Sequence, residues 1–143
     1  MFNLAKAIQN TGLIDKIERY SLKYVDLIEI LPADLSCLNF NLNIKNIKII
    51  NQPIQFRTEI IEGDISHIIG ITSPAEVINQ GESEKHRGVL VDIDTIDNQL
   101  DEKNSWDNLK ISLNKLHSAS KKMFFSLLTQ ETLNKLEPEF KGK

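Results

Sequence analysis

The chain has 143 residues, of which 41% are apolar and 26% charged, with 20 acidic residues against 17 basic ones. That composition suits one ordinary globular domain whose core is large enough to fold without metal or disulfide. The weak acidic excess offers no broad basic footprint for nucleic acid, although a local patch stays open, and the single cysteine, Cys37, excludes an internal disulfide.

The first residues, MFNLAKAIQNTGLIDK, lack a signal-peptide core and a small-residue cleavage site. No apolar run approaches the roughly 20 residues that span a bilayer, so no membrane span is expected and the cytoplasm is the expected location. Residues 3–14 read as a short helix capped by Asn3, with Leu4, Ala7 and Ile8 at helical spacing and Gly12 as its stop. Residues 17–31, IERYSLKYVDLIEIL, alternate as a long strand. Tyr20, Leu22, Tyr24, Ile28 and Ile30 share one face, interrupted by Asp26; Arg19, Ser21 and Lys23 open the other. Pro32 ends it, and ADLSCL, 33–38, has room for one helical turn. Within it Cys37 lies in an apolar run and reads as a small hydrophobe rather than a nucleophile.

FNLNIKNIKI, 40–49, alternates and then changes phase, which predicts a bulge or turn near Asn46. Residues 53–61 alternate again, with Ile54, Phe56, Thr58 and Ile60 against Gln55, Arg57 and Glu59. Glu62-Gly63-Asp64 is a hairpin signal. A strand follows over 65–73; Pro74 marks a boundary or edge, and 75–80 continue the ribbon. The polar stretch 80–88, with Gly81 and Gly88 near its ends, reads as a loose hairpin loop before a last strand at 89–97. Ser105 or Asn104 can cap a long helix from Trp106 to about Leu128. Trp106, Leu109, Leu113, Leu116, Ser120, Met123 and Leu127 form one seam on it, broken only by Ser120. Flanking positions lack sustained charge pairing, so the seam predicts packing on this chain's own sheet rather than a coiled coil. Thr129 can cap a last short helix before Pro138, with a frayed tail beyond.

Three aspartates interrupt VDIDTID, 91–97. Val89, Val91, Ile93 and Thr95 share the apolar face, which predicts that Asp92 and Asp94 point away from the core. Arg19, Lys23, Arg57 and Glu59 fall where they can share that outer face, and the six residues together form the candidate site. One reading is a ladder of mixed charges on a wet sheet face. A second is a divalent-cation site, for which two carboxylates about 7 Å apart along a strand are widely spaced. A third is an outer-face pocket for a basic group. No HExxH, cysteine pair, G-x-S-x-G elbow, GxGxxG or GxxxxGK[ST] occurs, so zinc, acyl-transfer and phosphate-loop chemistry have no support, and no cofactor is expected. His67 reads as a hydrogen-bonded, partly buried imidazole, His86 as a solvated loop residue and His117 as cover for the edge of the helical seam. Tyr20 and Tyr24 share a strand face and read as core residues rather than a base-stacking platform.

Three stretches in order, ERYSLKYVDLIE, RGVLVDIDTID and LHSASKKMFFSLLTQETLNKLEP, resemble the C-terminal part of a sporadically distributed, functionally uncharacterised family of prokaryotic proteins. In that family an R-x-x-L-R-Y-x-N-like strand precedes an L-V-D-I-D-like strand and a helix running into F-F-x-L-L-T-x-E-x-L; here Asp26 stands where Asn is common. The resemblance transfers no catalytic residue. It implies mobile-element or defence association. Longer members carry an N-terminal half with its own strands; this chain begins at Met1 just ahead of the short helix, so an exposed sheet edge is expected.

The order of elements predicts an α+β fold: a curved antiparallel sheet of about five strands on a long C-terminal helix, with short helices at both ends, in a single domain over 1–143. The expected function is a non-enzymatic binding or interaction module that pairs with a protein partner or with itself through a sheet edge, without nucleic acid. Two alternatives stand beside it. One is a small-molecule or lipid carrier with a helix-grip cavity lined by Phe56, Ile93, Leu116 and Phe124. The other is a metal-dependent enzyme using Asp92, Asp94, Arg57 or Glu59.

Overall fold

Alternating apolar and polar residues build the strands, and the phase of that alternation decides which surface each side chain joins. The computed structural model describes residues 2–81, 83–99 and 101–136. In chain order these form α1 (Phe2–Asn10), β1 (Ser21–Ile28), β2 (Leu42–Ile44), β3 (Ile47–Ile49), β4 (Ile54–Glu62), β5 (Ile65–Ile78), β6 (Lys85–Asp97), α2 (Ser105–Leu127) and α3 (Gln130–Leu136), with 3-10 turns at Leu35–Cys37 and Glu102–Asn104. The main sheet is antiparallel, four strands in the order β1-β6-β5-β4, and β2 and β3 pair as a separate ribbon. Long helix, antiparallel sheet and short terminal helices follow the α+β arrangement that the patterning implies.

The inner face of the sheet carries the core. Ile28, Ile69, Ile71, Val89, Val91 and Ile93 are each at most 2% exposed. Burying a branched apolar side chain of this kind stabilises the fold by about 1.5–3 kcal/mol. α2 lies across this face against β6, β1 and β5, and its seam buries Leu116, Ser120 and Met123. Leu35, Cys37, Leu38, Ile49 and Leu128 extend the same core under the C-terminal end of α2. Backbone bonds from Asn39 N to Leu127 O (2.7 Å) and from Thr129 N to Cys37 O (3.1 Å) stitch that closure. Thr129 caps α3 as its sequence position suggests, its hydroxyl accepting from Thr132 N at 3.2 Å.

Several boundaries differ from the sequence reading, each for a visible reason. α1 begins at Phe2, so Asn3 lies inside the helix and not ahead of it; Gly12 follows with a left-handed φ of 67°. Residues 17–20 leave the strand because they are tied to the start of α2: Ile17 N donates to Ser105 Oγ at 3.0 Å, and the Tyr20 hydroxyl donates to Ser105 O. Ser105 is therefore an anchor within α2, and Asn104 occupies the cap position without a side-chain bond. The phase change after Ile44 is a hairpin turn, with Lys45 at φ 55°, that folds β3 back on β2. β6 starts at Lys85 and not at 89, because β5 continues past Pro74 and pairs Ala75–Ile78 with Gly88–Lys85. One extra residue is absorbed between Thr72 and Ala75 as a bulge. Pro138 and the tail 139–143 lie outside the described residues.

Lys115 fastens α2 to the far end of the sheet. Its ammonium bonds Asp64 in the β4–β5 turn and lies 3.6 Å from Asp97 at the end of β6. The bond from Lys115 holds the Asp64 carboxyl below its ordinary 3.8, and the same bond raises Lys115 above 10.5. A carboxylate whose folded pKa is depressed contributes stability that is full above its ordinary value and is lost as pH falls through the folded value. Lys115→Met is therefore expected to melt at a lower temperature than the parent at pH 7, with the gap narrowing below pH 3.8. Circular-dichroism melts from neutral to acid pH read this directly; a gap that stays constant would contradict the assignment.

Candidate functional site

Antiparallel partners point to the same side of a sheet, so the strand register defines the outer face row by row. One row is Val25, Asp92, Gly70 and Arg57; the next is Lys23, Asp94, Ile68 and Glu59. Asp92 and Asp94 thus lie on the face opposite α2, flanked by β1 on one side and β5 on the other. They are shielded, with side-chain exposures of 30% and 23%.

The six candidate residues separate into two groups. Lys23 Nζ lies 2.9 Å from Asp92 Oδ2, and Arg19 Nη2 lies 3.4 Å from Asp94 Oδ2. Both aspartates are therefore neutralised by cations on or just before β1, which is the mixed-charge ladder in concrete form. Pairs of this kind, partly open to solvent, are worth about 0.2–1 kcal/mol each. Asp94 Oδ1 is buried and has no hydrogen-bond partner among the described residues. No group of three or more His, Cys, Asp or Glu side chains suited to a metal occurs among the described residues.

Arg57 and Glu59 form the second group. They sit on β4, two residues apart on the outer face, and neither has an ion-pair partner among the described residues. Arg57 shares with Asp92 a concavity of about 440 Å³ floored by Gly70 and bounded by Gln55, Thr72 and Leu90. Glu59 stands at the rim of the sheet beyond it.

β4 is an edge strand: β5 lies on one side of it and no strand on the other among the described residues. Its free hydrogen-bonding groups can be assigned. Asn98 N donates to Asp64 O at 2.8 Å, so even-numbered residues at this end of β5 bond toward β6 and Ile65 bonds toward β4. Glu62 and Ile65 are then the hydrogen-bonded pair closing the two-residue Gly63-Asp64 turn, where Gly63 supplies a φ of 61°. Alternation from Glu62 leaves the N–H and C=O of Gln55, Arg57, Glu59 and Ile61 pointing outward. Ile60 and Ile61 on this strand are 39% and 66% exposed. The alternation and the turn that fix this pattern were both present in the sequence; the position of β4 at the edge of the sheet was not.

The three histidines, Cys37 and Tyr20 are tied into the fold. His67 Nδ1 lies 3.0 Å from Thr95 Oγ1 on the inner face; burial holds its pKa below 6.5, with Glu62 opposing. His86 lies on β6 and not in a loop, and its Nδ1 sits 3.0 Å from Glu29 Oε2 in an exposed contact. His117 Nδ1 meets the Tyr24 hydroxyl at 2.7 Å and clasps α2 to β1. Burial pushes the Cys37 thiol up to about 11, and its S–H donates to Asp34 O at 3.3 Å, which leaves it inert at neutral pH. Burial, then the charges of Asp97 and Asp101, raise the Tyr20 phenol above 10.0 and keep it a hydrogen-bond donor. Of the side chains expected to line a cavity under the helix, Ile93 and Leu116 are completely packed, at 1% and 0% exposure.

No helix among the described residues is long and apolar enough to cross a membrane. Compared with protein-family models, curated proteins and solved structures, the chain finds no match.

Proposed function

We propose that this chain is a non-enzymatic interaction module of the cytoplasm that takes up a further β-strand at an open edge of its sheet. The observation that carries the reading is β4: four residues with outward-facing backbone donors and acceptors, beside two exposed isoleucines. An edge of this kind is a template for strand addition, in which main-chain bonds supply affinity and alternate side chains supply selectivity. The opposite edge, β1, is less suited. Asp26 lies on its inner face, and an inward-facing charge on an edge strand discourages pairing.

Edge blocking tests the reading. Glu59→Pro deletes one outward N–H of β4 and leaves the bonds to β5 intact, a substitution that edge strands tolerate. Partner binding, self-association included, is expected to weaken at least about tenfold in Glu59→Pro, the loss of roughly one main-chain hydrogen bond plus the clash of the ring, while the far-ultraviolet spectrum is unchanged. Binding that survives both Glu59→Pro and Val25→Pro on β1 would overturn the proposal.

A further inference from the structure

We infer that the strand taken up by β4 is β4 of a second copy, joined antiparallel about a two-fold axis through Thr58, so that Arg57 of each chain lies opposite Glu59 of the other. This rests on the edge-pairing reading above and specifies its partner.

Hydrogen-bond parity restricts the choices first. On β4 the outward main-chain groups belong to Gln55, Arg57, Glu59 and Ile61, so an antiparallel partner must set odd-numbered residues opposite odd-numbered ones. Charge then selects among the allowed registers. An axis at Arg57 sets Arg57 against Arg57, and an axis at Glu59 sets Glu59 against Glu59, both repulsive on the same face. An axis at Thr58 sets Arg57 against Glu59 twice, and Gln55 against Ile61 twice, so every outward donor and acceptor of the four residues is met. The charges concerned are the two candidate-site residues that find no ion-pair partner among the described residues. On the inner face the same register places Phe56 opposite Ile60, an aromatic and β-branched pair of the kind that stabilises sheets. Ile60 is 39% exposed in the single chain and gains cover. The contact is isologous, closes on itself and joins two four-stranded sheets into one. α2 packs mainly over β6, β1 and β5, away from the free side of β4.

Sedimentation equilibrium on the full chain at tens of micromolar is the test, with charge swaps as its diagnostic arm. The parent is expected to be a dimer. Arg57→Glu and Glu59→Arg each set like charges opposite one another at both pairs and weaken the dimer about tenfold or more. The double variant Arg57→Glu with Glu59→Arg restores the pairs and recovers the parental constant. Thr58→Cys supplies a second readout. Its two copies meet at the axis as a non-hydrogen-bonded pair with Cα atoms about 4.5 Å apart, within disulfide range. Oxidised glutathione should cross-link it, while the parent, whose only cysteine is the buried Cys37, stays uncross-linked. A monomeric parent, or a dimer that the double swap fails to rescue, would overturn the second-copy assignment. In either case, loss of binding to a different protein in Glu59→Pro would leave the edge reading standing, whereas binding of every kind insensitive to Glu59→Pro and Val25→Pro would remove both.

Discussion

Gly88→Ala is expected to lower the unfolding free energy by about 3 kcal/mol, a loss set by overpacking against main chain. A Cβ at position 88 would lie 2.2 Å from Ile28 O, 2.8 Å from Ile28 C and 3.2 Å from Glu29 Cα. Those are backbone atoms at the end of β1, so no rotamer change relieves the contact. The space is tight because Gly88 pairs with Ala75 just after the β5 bulge, where the long ribbon turns past the end of β1. To admit a methyl group, β1 must withdraw from β6 or the bulge must move, and either disturbs Ile28 and Val89 in the core. Gly70→Ala is the matched control. There the added Cβ meets Asp92 Cβ at 3.5 Å, an ordinary contact, and the strand loses an entropic weakness. Urea denaturation should separate the two by at least about 2 kcal/mol. Equal effects would mean that the close approach of β1 to Gly88 does not exist in solution.

How much of this could be read from the sequence depended on whether the cause was local. The inner face of β6 follows from period two alone: Val89, Val91, Ile93 and Thr95 are apolar or β-branched, and all are at most 1% exposed. The α2 seam is equally local, since Leu116, Ser120 and Met123 recur at helical spacing and all are buried. Even the β2–β3 hairpin left a trace, as the change of phase after Ile44. What could not be read was set by contacts distant in sequence. Residues 17–20 alternate as a strand yet are held by Ser105, 88 residues from Ile17. Gly88 resembles any loop glycine until Ile28 is set against it. The candidate site divides along the same line. Placing Asp92, Asp94 and Lys23 on one face needed only alternation, whereas Arg19 lies ahead of β1 and reaches Asp94 from there. Their pairing needed β1 to neighbour β6, and the separation of Arg57 and Glu59 from them needed β5 to intervene.

The attachment of α2 to the sheet makes the second large expectation. Leu116→Ala should cost about 3 kcal/mol, within the range for a buried leucine whose site cannot collapse. Leu116 is 0% exposed and lies in mid-helix, flanked along the seam by Leu113 and Ser120. The backbone beneath is a hydrogen-bonded strand and cannot move up to fill the space; Ser120, one turn on, is too small to lean into it. The opposite face of the same helix offers the contrast: Ile111 is 70% exposed, and Ile111→Ala should change stability by no more than about 0.5 kcal/mol. Both substitutions remove the same kind of hydrocarbon from the same helix and improve its propensity, so their difference isolates packing against the sheet. It should appear in the urea midpoint with little change in slope, because the area exposed on unfolding hardly differs. Were the two losses equal, α2 would not be seated on β6 through this seam, and the inward assignment of the Val89–Thr95 face would fall with it.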